Sequence, residues 1–206
     1  LDEKPDLILL AGDYLQVPWQ IQPQLQSELN HFLHEIHFSA PMGTYAIQGN
    51  VDPPDWPAMF EDLDIATTSR NRTFELREIT LTCLGLRESF NQDLRLSNSS
   101  PKKFHLVLGH APNFALGDIQ ADLLVAGHTH GGQVRLPLIG PMITHSSIPH
   151  TWAAGRTDLP GGGQLLVSRG IGMERGYAPP LRFLCRPELT VIDLVPQKEP
   201  ASANGQ

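Results

Sequence analysis

Four short apolar runs in this chain stop at a glycine that leads into a residue able to bind a cation. Asp13 follows Gly12, Asn50 follows Gly49, His110 follows Gly109, and His128 and His130 follow Gly127 as Gly-His-Thr-His. One carboxylate, one amide oxygen and three imidazoles form a mixed oxygen and nitrogen donor set suited to Mn, Zn or Fe, whereas an all-oxygen set would point to Mg or Ca. Thiolates play no evident part. Divalent cations beside a phosphate ester would supply a hydroxide nucleophile, orient the phosphoryl oxygens and neutralise charge on the attacking and leaving oxygens. A single Gly-Asp or Gly-Asn after a strand is an ordinary turn. Repetition at four strand ends is what makes these residues one candidate site.

The elements that must position them follow from the hydrophobic pattern. Residues 6–12, 44–48, 105–108 and 122–126 read as buried strands, and each runs into one of the polar turns. Leu25, Leu29, Phe32, Leu33 and Ile36 fall on one helical stripe, which predicts an amphipathic helix over residues 23–37 packed against a sheet. Residues 49–54 must be a turn, because Pro53 and Pro54 can continue neither ladder nor helix. Further strands are expected at 73–77, 79–86, 165–168 and 189–195, with a Pro/Gly-rich excursion over 137–163. The whole reads as α/β. In an open α/β sheet ligands sit beyond the carboxyl ends of the strands, so the four turns can converge on one crevice.

Composition bounds what such a site can serve. The chain has 206 residues, 40% of them hydrophobic, enough for one core over residues 1–195, while residues 196–206 read as a polar, frayed tail. The formal charge is −7 with only four lysines, so no polybasic face exists for long nucleic acid. No apolar run approaches the roughly 18 residues of a membrane span. Cys83 and Cys185 are isolated, which fits two buried thiols or one long-range bridge. A serine hydrolase is disfavoured by the lack of a G-x-S-x-G elbow, and a P-loop enzyme by the lack of G-x-x-x-x-G-K-[ST]. His31, His34 and His37 drift around the predicted helix and read as surface. His145 and His150 are candidates for a substrate mouth, and Arg169, Arg175 and Arg182 read mainly as solvated.

Leu-Ala-Gly-Asp13, Gly-Asn50-Val-Asp, Gly-His110-Ala-Pro and Gly-His128-Thr-His130-Gly-Gly-Gln together resemble four of the five ordered signature blocks of the calcineurin-like metallophosphoesterases. The likeness runs from about residue 5 to 195. Ser168-Arg-Gly-Ile-Gly172 and residues 182–194 further resemble a bacterial branch placed near the UDP-2,3-diacylglucosamine hydrolases. The resemblance implies two facing mixed β-sheets flanked by helices in four layers, with two divalent metal ions at the strand ends. Asp13 would bridge them, Asn50, His110 and His128 would complete the second metal's shell, and His130 would reach the first. The implied activity is hydrolysis of a phosphodiester, a pyrophosphate or an activated phosphomonoester by metal-bound hydroxide. The implied substrate is a small-molecule or lipid-linked phosphate ester, met in the cytoplasm or at the inner face of the membrane.

Two departures qualify this. The family's first Asp-x-His block is absent before Asp13. The chain is therefore expected to hold one cation rather than two, as a mononuclear protein or as a fragment lacking an amino-terminal strand. Val51 stands where many relatives carry a His after the Asn, so no catalytic side chain is assigned there and good leaving groups are favoured. The competing reading is a catalytically impaired fragment or pseudoenzyme, a binding module with one metal or none.

Overall fold

The structure, a computed structural model, describes residues 3–98, 100–176 and 180–196. In chain order the main elements are β1 (Ile8–Leu10), α1 (Gln22–Glu35), β2 (Thr44–Ile47), β3 (Ile65–Thr68), β4 (Arg72–Glu75), β5 (Ile79–Cys83) and α2 (Leu86–Ser89). They continue with β6 (Arg95–Leu96), β7 (Phe104–Leu108), β8 (Asp118–Ile119), β9 (Leu123–Ala126), β10 (Arg135–Leu136), β11 (Gly140–Pro141), β12 (Gly155–Asp158) and β13 (Gln164–Val167).

Two principal sheets result. β1, β2 and β3 form a parallel sheet in that order. The larger sheet has the order β12-β13-β9-β7-β5-β4, its four inner strands parallel and its two edge strands antiparallel. Alternation along each strand explains the layering. Ile79, Leu81 and Cys83 of β5, Leu106 and Leu108 of β7 and Leu123 and Val125 of β9 meet Tyr45 and Ile47 of β2 in one buried cluster, so the sheets face each other across it. The residues between them point the other way: Val107, Leu124 and Ala126 join Leu165, Val167 and Phe114 in a second cluster. On the far face of the small sheet, Ala46 packs with Leu33 of α1 and with Trp56, Met59 and Phe60 of a 3-10 turn. The expected α/β arrangement of two facing sheets is present, with the larger sheet mixed and the smaller one wholly parallel.

Several details differ from the sequence reading. On α1 the buried seam is Leu33 with Leu29 beside it, spaced by one turn, while Phe32 and Ile36 stay exposed because they lie to the side of that seam. β3, β12 and the small pairs β6/β8 and β10/β11 were not expected, and β12 turns part of the 137–163 excursion into an edge strand. Residues 189–195 form no strand. A run of β-favouring residues becomes a strand only where another backbone supplies its ladder, and no described segment pairs with this one. Cys83 and Cys185 are both buried free thiols. Apart from Pro196, the expected tail lies outside the described residues.

Candidate metal centre

All the strands that carry site residues are parallel to their neighbours, so their carboxyl ends open on one side. The turns after β1 and β2 interlock there. Gly12 has φ +88°, and a Cβ on it would overlap the backbone of Gly49; a Cβ on Gly49 would in turn overlap Asp13. Only two facing glycines allow so close an approach. Asp13 itself sits in the left-handed region (φ +60°). The next residue, Tyr14, anchors the turn: its hydroxyl donates to the Ile47 carbonyl (2.8 Å), and its ring stacks on Trp56.

Asp52 holds the two turns together. Its Oδ2 accepts from the N–H groups of Asp13 (2.9 Å) and Gly49 (2.7 Å), and its Oδ1 from that of Tyr14 (2.8 Å). Burial raises the pKa of this carboxyl above the usual value, and those three N–H groups oppose the shift. Sequence reasoning quoted Asp52 within its block and gave it no role; its position two residues after Asn50 in the same turn was the available signal.

His110 is fully buried at the end of β7. Its Nδ1 lies 2.7 Å from the Ala11 carbonyl, which requires the proton on Nδ1 and leaves the Nε2 lone pair facing the site. Nε2 lies 2.8 Å from Asn50 Oδ1 and 3.4 Å from Asp13 Oδ2. Burial pushes the His110 pKa down to about 4, with His128 adding to the effect, so the ring is neutral at neutral pH. Three electron-rich atoms thus converge with no proton to share. Suitable ligand atoms of Asp13, His110 and His128 all lie within 4.8 Å of one another.

His128 extends the pattern. Its Nε2 meets the His145 carbonyl at 2.9 Å, while its Nδ1 is buried without a hydrogen-bond partner among the described residues. Converging lone pairs and an orphaned imidazole nitrogen are what a divalent cation would satisfy, so this donor set fits one. His105 gives the contrast: equally buried, it has Nε2 on Thr82 and Nδ1 on the Gln120 carbonyl, the pattern of a satisfied core histidine.

His130 lines the same cavity but stands outside that close cluster. Burial lowers its pKa, and Arg182 lowers it further. The expectation of a solvated Arg182 is corrected here. Its guanidinium donates to the carbonyls of Arg169 (2.7 Å), Gly170 (3.1 Å) and Gly172, and lies 3.5 Å from His130 Nδ1. A second clamp lies nearby: Glu174 N–H donates to Gln133 Oε1 (2.7 Å), and Gln133 Nε2 to the Glu174 carbonyl (3.0 Å). Residues 168–176 and 180–185 are thereby strapped beside the site. Phe90, which no motif announced, sits edge-on to His128 with ring centroids 5.0 Å apart. His145 lines the cavity, whereas His150, His31, His34 and His37 are exposed on the surface away from its lining.

Val51 contributes its backbone N–H to Asp13 Oδ1 (3.1 Å), and an aliphatic side chain has no proton to give.

Comparison with known proteins agrees with this chemistry. The chain is 34% identical to an uncharacterized metallophosphoesterase of Bacillus subtilis (strain 168), YkuE, over 94% of this chain and 69% of that protein. It is 30% identical to the phosphodiesterase YaeI of Escherichia coli (strain K12), over 95% of this chain and 72% of that protein. An uncharacterized metallophosphoesterase of Aquifex aeolicus (strain VF5) is 27% identical over 93% of this chain and 74% of its own length. No solved structure matches significantly. The profile of the calcineurin-like phosphoesterases matches residues 1–132, the span that holds all four turns, and the chain belongs to that family of metal-dependent hydrolases of phosphate esters.

Proposed function

We propose that this chain hydrolyses phosphodiesters, or pyrophosphates and monoesters with good leaving groups, at a divalent cation held by Asp13, Asn50, His110 and His128. The support is the close cluster of Asp13, His110 and His128 at parallel strand ends, with Asn50 Oδ1 2.8 Å from His110 Nε2. The mixed donor set favours Mn, Zn or Fe. When bound, such an ion supplies a Lewis acid for the phosphoryl oxygens and lowers the pKa of a coordinated water. The remaining work falls to the chain. Ala11 fixes the His110 tautomer through its carbonyl, and Asp52 sets the Asp13 turn against the Asn50 turn. Val51 offers no proton to a departing alkoxide, which is why substrates with acidic leaving groups suit this site.

A lipid-linked phosphate ester met at the inner face of a membrane agrees with the same reading; among the described residues no helix is long and apolar enough to cross a membrane.

The test combines metal analysis of the purified chain with turnover of bis(p-nitrophenyl) phosphate in added Mn. Bound metal and turnover, both lost in Asp13→Asn and His110→Ala, are expected, with an alkyl monophosphate hydrolysed far more slowly. Bound metal without turnover would favour the alternative, a one-metal binding module.

A further inference from the structure

Beyond its ligands the cavity has a second character. It measures about 300 Å³, and past Asp13, His128 and His130 its walls include Phe90, Val134, Met142 and Ile143. Met142 and Ile143 follow directly on β11 and are each half-exposed. The Met142 N–H donates to the Val134 carbonyl, and Val134 is bridged in turn to Phe183, so three adjacent backbone runs bring apolar side chains together. At the tip of the β10/β11 hairpin Leu138 is fully exposed and Ile139 largely so. Isolated apolar side chains on a surface need no explanation, whereas a contiguous apolar run that begins at a polar site does.

The charges point the same way. None of the described residues lining the cavity is Lys or Arg, and its two carboxylates are Asp13 and Glu174, the latter accepting from Gln16 Nε2 at 2.9 Å. A substrate with further phosphates, such as a nucleoside diphosphate, would meet no Lys or Arg side chain among those lining residues.

Resting on the phosphoesterase reading above, we infer that the substrate is a phosphodiester bearing a hydrocarbon substituent, and that Met142 and Ile143 select it. The chain lies along Val134, Met142 and Ile143 and continues onto the hairpin. Each methylene withdrawn from water favours the ground state and transition state alike, so the preference is expressed in KM more than in kcat.

The experiment compares p-nitrophenyl phosphodiesters that share one leaving group and differ in the second substituent: methyl, hexyl or thymidine 5′-yl. With Mn present, kcat/KM for hexyl over methyl is expected to be about 10- to 100-fold, and thymidine to gain nothing over methyl. In Met142→Ser/Ile143→Ser that ratio should fall toward one. A flat series, or a preference for thymidine, overturns the inference. Calorimetric binding of hexylphosphonate against methylphosphonate separates this from the catalytic reading. Chain-length-dependent binding that the double variant loses upholds the apolar subsite even without turnover of any ester, and equal binding of both phosphonates overturns it.

Discussion

Asp52 carries the sharpest residue-scale expectation. Its two oxygens accept three backbone N–H groups from two different turns, and an asparagine in its place has one acceptor oxygen and presents an NH₂ to the remaining donors. Asp52→Asn should cost about 1–3 kcal/mol of stability and weaken metal affinity about 10- to 100-fold, as read by urea melts and by competition with a chelating dye. His110 yields a pH dependence with a definite sign. Its pKa lies near 4 when folded against 6.5 as the ordinary value, so between those limits the unfolded chain binds more protons and stability falls as pH falls. His128 and His130, also lowered by burial, act in the same direction. With EDTA present, urea melts from pH 7 to pH 5 should lose stability at up to about 1.4 kcal/mol per pH unit per proton. His110→Asn should show a shallower slope than wild type, and an identical slope would mean that His110 is not the buried neutral group described.

At the scale of elements, the strap formed by residues 168–176 and 180–185 is what distinguishes this site from a set of bare strand ends. Arg182 gathers the carbonyls of Arg169, Gly170 and Gly172 and reaches His130, while Gln133 and Glu174 exchange two hydrogen bonds. A methionine can fill the same space but donates to none of those carbonyls. Arg182→Met should therefore speed amide hydrogen exchange across the strap while leaving β7 and β9 protected, and should lower kcat/KM. Protection unchanged in the strap would mean that the guanidinium contacts do not hold it.

For the molecule as a whole, stability resides between the sheets. Leu81 is fully buried there among Ile47, Leu106 and Leu108, so Leu81→Ala should cost about 2–5 kcal/mol in urea unfolding. Metal affinity of the folded fraction should barely change, because the candidate ligands hang from turns beyond the ladder. The parallel order of β1 and β2, and of β5, β7, β9 and β13, is the global fact behind the candidate centre: it points every strand end that carries a candidate ligand to the same side.

Residue order alone was enough to single out Asp13, Asn50, His110, His128 and His130 as candidates, because a short apolar run ending in glycine and a polar side chain is a local pattern, and local patterns are written consecutively along a chain. It was also enough to place α1 and most inner strands within a residue or two, since period and burial go together. Tertiary structure decided the rest. That Asp52 ties two turns, that Phe90 borders His128, that Arg182 caps a loop instead of meeting solvent, and that residues 189–195 lack a ladder all depend on partners tens of residues away. Hydrogen bonds and packing contacts are relations between two places, and a pattern read at one of them cannot name the other.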